Sequence, residues 1–218
     1  MLFRSISNCS FSSSPTISNS GTLWDSADGV AKSWTQVIHN EYKKDMDITE
    51  ADVKSVMGKT MDVIAQIVFP ELDKEAQQVL LEKCCDWENE YLRRNGGKLF
   101  PKLEDTLKKL KEQYHLYIVS NCQCGYIEVF LKTMGLEKYI KDFLCFGQTQ
   151  VPKNESIRLL MERNHLQDVV YVGDTSGDFD ACQKADVPFI YASYGFGDIP
   201  DPPRQIGAIR ELPALLGL

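Results

Sequence analysis

Two aspartates, spaced as a pair that could share a ligand, follow an apolar segment. Residues 169–172 read Val-Val-Tyr-Val, which predicts a short strand buried on both faces. Gly173 and Asp174 come next, and Asp178 follows four residues later in a helical pattern. Carboxylates placed this way can converge at the carboxyl edge of a parallel sheet, where α/β proteins bind ligands. Such oxygen ligands suit Mg²⁺. The alternative interpretation is that both aspartates only cap and charge the start of a helix.

Further polar positions lie where other predicted elements begin or end. The apolar run 116–119 predicts a strand that ends in Ser120-Asn121, and Lys153 precedes a helical run. Gly21-Thr22-Leu23 precedes the first helical segment, and Tyr194-Gly195-Phe196-Gly197 follows the last predicted core strand.

In this order and spacing the chain resembles the haloacid dehalogenase superfamily of phosphohydrolases, in particular its phosphoglycolate-phosphatase-like members. In that family one strand ends in Asp-x-Asp-Gly-Thr-Leu and a second in Ser or Thr, a Lys follows, and Gly-Asp-x-x-x-Asp closes the site. Gly21-Thr22-Leu23, Ser120-Asn121, Lys153 and Gly173-Asp174…Asp178 match this pattern, as does the segment Tyr194-Gly195-Phe196-Gly197. The resemblance covers residue 21 to the carboxyl end.

The chain departs from the family pattern at the two positions that carry the chemistry. The family has Asp at both positions, whereas this chain reads Ser18-Asn19-Ser20. By resemblance, the first Asp attacks phosphorus to give an aspartyl-phosphate, and the second protonates the leaving oxygen and later deprotonates a water. A serine hydroxyl is un-ionised near neutral pH and no histidine adjoins it in the sequence. We therefore expect the chain as written to be inactive or nearly so.

The resemblance also implies a Mg²⁺ cofactor and a small phosphorylated metabolite as substrate. It implies these roles: Ser18 at the nucleophile position, Ser20 at the acid/base position, Ser120 and Asn121 as phosphate-binding residues, Lys153 as the phosphate-binding and catalytic cation, and Asp174 and Asp178 as metal ligands.

Three functions stay open from the sequence. The first is a Mg²⁺-dependent phosphomonoester hydrolase whose start, before Gly21, is a corrupted reading of the gene. The second is a natural relative without its nucleophile, a pseudo-phosphatase that binds a phosphorylated ligand. The third is a sugar phosphomutase of the same superfamily. The sequence matches the family pattern from Gly21 onward and does not match it before Gly21, which favours the first function.

The start of the chain does not look like the central strand that the family places there. Eight of the first 20 residues are serine, and no run of four apolar residues occurs. Ser12-Ser13-Ser14-Pro15 is typical of turns, and proline does not suit a central strand.

The rest of the chain predicts an α/β fold, a doubly wound parallel sheet with an inserted α-helical cap. Residues 26–96 carry helical stripes with starts at Ser26, Thr49 and Asp73 and a stop at Gly96-Gly97. The stripe of the last helix runs through Ala76, Val79, Leu80, Cys84, Trp87 and Tyr91. Beyond position 100, strands are predicted at 116–120, 144–146, 169–173 and 189–191, with helices between them. By resemblance, residues 1–26 and 97–218 form the core and residues 27–96 the cap.

Composition limits the function classes. A net charge of −7 and the lack of a Lys/Arg run argue against a nucleic-acid partner. No apolar segment reaches the eighteen or so residues that span a membrane, so we expect no membrane partner. Seven cysteines, an odd number without a Cys-x-x-Cys pair, predict free thiols and a cytoplasmic location.

Overall fold

The computed structural model describes residues 14–218, so the predictions on residues 1–13, Cys9 among them, lie outside the described residues. The strands are β1 Ser14–Ile17, β2 Trp24–Asp25, β3 Lys98–Leu99, β4 Leu116–Ser120, β5 Ile140–Cys145, β6 Val169–Gly173, β7 Phe189–Ala192 and β8 Gln205–Ile206. The α-helices are α1 Ala27–Glu41, α2 Glu50–Val56, α3 Met61–Val68, α4 Lys74–Asn95, α5 Leu103–Lys111, α6 Tyr126–Met134, α7 Phe146–Thr149, α8 Lys153–Arg163, α9 Ser176–Ala185 and α10 Leu212–Leu215.

The main sheet has six strands in the order β5-β4-β1-β6-β7-β8, and every pair is parallel. Helices cover both faces. On one face, Ile118, Val170 and Val172 join a core cluster with residues of α1–α6, while Tyr117 and Tyr171 lie in a second cluster with residues of α8 and α9. The predicted doubly wound parallel fold is confirmed.

The strand predictions are confirmed at β4 and β6 and fall one residue short at β7. The prediction of a strand at 144–146 is wrong at both ends, because β5 begins at Ile140 and Phe146 already starts α7. Only Leu144 and Cys145 of β5 are buried, so its first half carries no apolar run that the sequence could signal.

The prediction that the segment around Pro15 does not suit a central strand is wrong. β1 lies between β4 and β6, and Ile17 is fully buried. Pro15 is the second residue of β1 and is paired with Val170 of β6, whereas pairing with β4 begins only at Thr16. The proline therefore lies where β1 has a single neighbour, which is a position that tolerates the missing N–H.

Residues 27–95 form four helices between β2 and β3, which we call the helical insertion. β2 and β3 pair antiparallel, Trp24 opposite Leu99, and bring the two ends of the insertion together. Thr49 and Asp73 accept hydrogen bonds from the first turns of α2 and α4, as the sequence predicts. The predicted apolar stripe of α4 is rotated from the observed one: Val79 is half exposed, while Leu81, Cys85 and Leu92 are buried. The division into core and cap stays a prediction.

Two further properties concern the described part of the chain. None of its helices is both long and apolar enough to cross a membrane. Its six cysteines are free; Cys84, Cys85, Cys145 and Cys182 are buried, Cys122 is half-buried and Cys124 is exposed.

Candidate functional site

A cavity of about 70 Å³ lies between the carboxyl edge of the sheet and the helical insertion. Five of the seven predicted site residues line it: Ser18, Ser20, Ser120, Asn121 and Lys153. The insertion contributes mostly apolar side chains from α1 to α3, among them Trp34, Val53 and Ile64. Asp174 and Asp178 do not line the cavity; they lie behind Lys153, fully buried.

The two serines come directly after the central strand. The Ser18 amide donates to the Val172 carbonyl at 2.8 Å, which extends the pairing with β6 past the end of β1. The Ser20 hydroxyl is hydrogen-bonded to the Tyr126 hydroxyl at 2.8 Å. None of the cavity-lining side chains in residues 14–218 is a histidine, so no histidine activates either serine. As nucleophiles both hydroxyls are weak.

Ser26 does not cap α1 through its side chain, and that prediction is wrong. Ser26 is the residue before the helix, but its hydroxyl is hydrogen-bonded to Tyr126 at 2.5 Å instead. Tyr126 thus joins Ser20 and Ser26, and burial raises the pKa of its phenol well above the ordinary value. The hydroxyl trio is therefore neutral near pH 7.

Three motifs of the sequence meet at Asp174. The Thr22 hydroxyl donates to one carboxylate oxygen at 2.8 Å, and the Phe196 amide donates to the other at 3.0 Å. Gly21 has a positive φ of 78°, and a Cβ there would lie 2.0 Å from an Asp174 oxygen. A Cβ on Gly195 would lie 2.3 Å from the Asp174 Cβ. Glycine is needed at both positions because the backbone approaches the carboxylate so closely.

Asp178 is paired with Lys153. The Lys153 Nζ atom lies 2.6 Å from the Asp178 Oδ1 atom, and both side chains are almost fully buried. The other carboxylate oxygen accepts from the amide and hydroxyl of Thr175, the cap residue of α9. Burial opposes the ionisation of Asp178, but the Lys153 charge and these hydrogen bonds hold its pKa below the ordinary value. Asp178 therefore lies in the first turn of α9 and takes part in its capping box, as the alternative interpretation has it, and it is also paired with Lys153.

The pKa of Asp174 shifts in the opposite direction. Burial, followed by the Asp178 charge, raises it from 3.8 to about 7, and the donors Phe196 and Thr22 offset only part of that rise. One buried carboxylate is thus ionised against a lysine, while its neighbour is partly protonated near neutral pH. Two carboxylates with pKa values pushed apart are typical of reaction sites.

Ser120 and Asn121 form the edge of the cavity at the end of β4. The Ser120 hydroxyl oxygen accepts from the Cys122 amide at 3.4 Å, and the hydroxyl also interacts with the Cys122 thiol. The Asn121 side-chain amide donates to the Gly58 carbonyl between α2 and α3 at 2.8 Å. Asn121 therefore also ties the sheet edge to the helical insertion, a role that the sequence did not indicate.

The residues present do not complete a Mg²⁺ site. No three acidic, cysteine or histidine side chains of residues 14–218 converge as metal ligands. All four carboxylate oxygens of Asp174 and Asp178 accept hydrogen bonds from protein donors, and Asp178 is neutralised by Lys153. Serine at positions 18 and 20 leaves the edge of the cavity one or two carboxylates short.

Glu88 is the site residue that the sequence analysis missed. It lies on α4, four residues after Cys84 and four before Leu92, and all three side chains are buried. It lines the cavity and is 3% exposed. A charged residue on the buried face of a helix could have indicated it. The predicted apolar stripe of α4 did not include position 88, so Glu88 was not recognised.

Comparison with known proteins adds family information. A sequence model of the haloacid dehalogenase-like hydrolases matches residues 20–192. Phosphoglycolate phosphatase of Shigella boydii is 26% identical over 178 residues, 77% of this chain and 68% of that protein. Phosphoglycolate phosphatase of Yersinia pestis is 24% identical, over 81% of this chain and 78% of that protein.

Solved structures share the fold at lower identity. A hydrolase of the haloacid dehalogenase-like family from Streptococcus pneumoniae superposes with a TM-score of 0.79 at 17% identity, over 93% of this chain and 97% of that one. A predicted phosphoglycolate phosphatase from Haemophilus somnus gives a TM-score of 0.78 at 20% identity, over 95% of this chain and 98% of that one.

Proposed function

Since the chain belongs to the haloacid dehalogenase-like hydrolases, we propose that its cavity is the phosphoester site of a phosphatase of the phosphoglycolate-phosphatase type. By resemblance the chain is a phosphatase of this family. One observation carries the proposal: five polar side chains predicted for phosphate binding and reaction line a single cavity. In the proposal, residues 1–26 and 97–218 are the core and residues 27–96 a cap over this cavity.

Phosphate recognition follows from donors that remain available. The Lys153 ammonium has three N–H donors, and Asp178 accepts from only one of them at 2.6 Å. The Ser120 hydroxyl lines the cavity and can donate to a phosphoryl oxygen in place of its contact with the Cys122 thiol, and Asn121 has one amide proton beyond the bond to Gly58. Together they offer hydrogen bonds to the oxygens of a phosphoryl group, and the ammonium charge makes part of that recognition charge-assisted.

Turnover is the step that this chain lacks. With Ser18 and Ser20 in place of the two aspartates, no carboxylate attacks phosphorus and none exchanges a proton with the leaving group. Loss of a nucleophile in another hydrolase costs on the order of 10⁶ in turnover. We therefore propose that this chain binds a small phosphorylated metabolite and hydrolyses it negligibly. We propose Mg²⁺ as the cofactor of a form with aspartate at positions 18 and 20, and we expect this chain to bind Mg²⁺ only weakly.

The second candidate function is a natural pseudo-phosphatase, in which Ser18 and Ser20 are native residues rather than the result of a corrupted reading before Gly21. The bond from Ser20 to Tyr126, which also contacts Ser26, favours it because the serine is part of a buried hydroxyl network. No observation favours the phosphomutase alternative. The free thiols support a cytoplasmic location in either case.

Binding of inorganic phosphate tests the proposed site. We expect saturable binding in ³¹P NMR or calorimetry that Ser120→Ala weakens about tenfold or more, the value of one hydrogen bond to a charged group. Ser193→Ala is the matched control, since Ser193 is exposed and its hydroxyl donates to the Ile206 carbonyl away from the cavity. Absence of saturable binding, or equal affinity in Ser120→Ala, would refute the proposal. Release of phosphate from an aryl phosphate at a normal phosphatase rate would refute the proposed inactivity.

A further inference from the structure

The cavity contains a carboxylate that phosphate recognition does not use. The Glu88 Oε2 atom accepts from the Trp34 indole at 2.7 Å, and Oε1 accepts from the Gln123 amide at 2.9 Å. Both donors are neutral. Within residues 14–218 no lysine, arginine or histidine lies within ion-pair distance of Glu88. The side chain is therefore a buried acidic group without a cation.

Two neutral hydrogen bonds leave this carboxylate only partly satisfied. An ionised carboxylate has about four acceptor positions, and Trp34 and Gln123 occupy two of them. Burial raises the pKa of Glu88 from 4.5 to about 7, and these two donors offset part of the rise. A glutamine at this position could make hydrogen bonds to both partners without a buried charge. The use of an acid here indicates a partner that the protein does not itself supply.

The other charged groups of the cavity do not fill that role. Lys153 pairs with Asp178 and is not within ion-pair distance of Glu88. Lys59 and Asp52 also line the cavity, but both are exposed, and water screens their charges far more than the charge of a buried group. The remaining neighbours are neutral: the Tyr126 hydroxyl and the thiols of Cys84, Cys85 and Cys122. Glu88 is thus the dominant charge on its side of the cavity.

We propose that Glu88 selects the end of the ligand remote from the phosphate, and that the preferred ligand is a small phosphomonoester carrying an ammonium group. The proposal rests on the proposed phosphoester site, which fixes the phosphate near Lys153 and Ser120. Glu88, Ser120 and Lys153 line the same cavity, so one small ligand can contact both ends of it. The ammonium donates to the free acceptor positions of Glu88 and neutralises it. A carboxylate at the same end is repelled, so this chain disfavours phosphoglycolate.

Three probes share a two-carbon phosphoester, and their remote ends are neutral, cationic and anionic: ethyl phosphate, phosphoethanolamine and phosphoglycolate. By calorimetry at pH 8, we expect phosphoethanolamine to bind about tenfold or more tightly than ethyl phosphate, and phosphoglycolate about tenfold more weakly, as for a buried charge pair and a like-charge contact. Relative to ethyl phosphate, the preference for phosphoethanolamine should fall between pH 8 and pH 6, because Glu88 becomes protonated.

Substitutions assign the effect to one side chain. Glu88→Gln should bring the three affinities to within about twofold of one another, Glu88→Asp should keep their order, and Lys59→Gln should leave the order unchanged. Loss of the order in Lys59→Gln would assign the selectivity to Lys59 and overturn the proposal. Should Glu88→Gln not fold, the order of the three probes and its pH dependence in the unmodified chain still decide the matter.

The outcomes separate the two levels of inference. If neither ethyl phosphate nor inorganic phosphate binds, the phosphoester site is wrong and the proposal on Glu88 falls with it. If ethyl phosphate binds and the other two probes bind equally well, the phosphoester site stands and the proposal on Glu88 is refuted.

Discussion

The two halves of the candidate site differ in how well their polar groups are satisfied. In the downstream half, residues 116–197, Lys153 pairs with Asp178 at 2.6 Å and Asp174 accepts two hydrogen bonds, although the Tyr117 hydroxyl is buried without a partner among the described residues. In the upstream half, residues 14–20, the Thr16 hydroxyl and both side-chain amide atoms of Asn19 are buried without a hydrogen-bond partner among the described residues. An unsatisfied buried polar group costs about 1–3 kcal/mol.

The position of β1 depends on its backbone, whereas phosphoryl transfer depends on the side chains that follow it. β1 is placed by backbone hydrogen bonds to β4 and β6, and those bonds do not depend on which side chains the strand carries. Ser18 therefore reaches the carboxyl edge of the sheet although its strand suits the core poorly. Phosphoryl transfer, in contrast, depends on the carboxylates themselves. The upstream half keeps its position in the fold and lacks the two carboxylates of the family pattern.

The largest expected effect comes from supplying those carboxylates. The double substitution Ser18→Asp, Ser20→Asp should raise Mg²⁺-dependent hydrolysis of an aryl phosphate by about 10³-fold or more, because nucleophile and acid/base act as a unit. Ser20→Asp alone should do almost nothing, and Ser18→Asp alone should permit at most slow phosphorylation. The double asparagine variant is the isosteric control. A folded double aspartate variant that binds phosphate yet is no faster than the asparagine control would show that β1 misplaces position 18.

The next effect is on stability, and it comes from breaking the ion pair of the downstream half. Lys153→Met leaves the Asp178 carboxylate buried and unpaired, and we expect a loss of about 3–5 kcal/mol in urea unfolding at pH 7. The pair holds the pKa of Asp178 below its ordinary value, so its contribution is present above about pH 4 and is lost as the pH falls through the folded-state pKa.

Two results would contradict this account of Lys153. Adding Asp178→Asn to Lys153→Met should recover part of the lost stability, since no buried charge then remains. No recovery, or a loss in Lys153→Met that is the same at pH 3 and pH 7, would show that the ion pair is not the cause.

Removing an orphan polar group from the upstream half should stabilise the protein. Thr16→Val keeps the shape of the side chain, and we expect a gain of about 1–2 kcal/mol in urea unfolding. Thr106→Val is the matched control: Thr106 is also buried, but its hydroxyl donates to the Lys102 carbonyl at 2.8 Å, so this variant should lose stability. Equal effects of the two substitutions would show that the Thr16 hydroxyl is no less satisfied than the Thr106 hydroxyl.

The smallest effect is expected where the downstream half meets the helical insertion. Asn121→Ala removes the hydrogen bond to the Gly58 carbonyl, and we expect a loss of about 1 kcal/mol. Hydrogen exchange should locate the change in α2 and α3. Uniformly faster exchange throughout the sheet would mean that Asn121 supports the core rather than the contact with the insertion.

The sequence by itself determined the fold class and most of the downstream site. Long apolar runs identify β4 and β6, because a strand buried on both faces can carry little else. Motif order predicted that Ser120, Lys153, Asp174 and Asp178 lie together at one edge of the sheet. In the structure Ser120 and Lys153 line the cavity, while Asp178 pairs with Lys153 and accepts from the Asp174 amide outside the cavity lining. These features are local in the chain, so a pattern of residue types is enough to predict them.

Tertiary structure decided the features that depend on neighbours distant in sequence. β1 forms around Pro15 because β4 and β6 provide its partners, which no local preference of a serine-rich segment indicates. The hydroxyl of Ser26 turns from its helix to Tyr126, one hundred residues away. Glu88 lines the cavity because the face of α4 that carries it packs inward. Its contact with Gln123 exists only in the folded chain. Partners of this kind are set by packing, which local sequence does not encode.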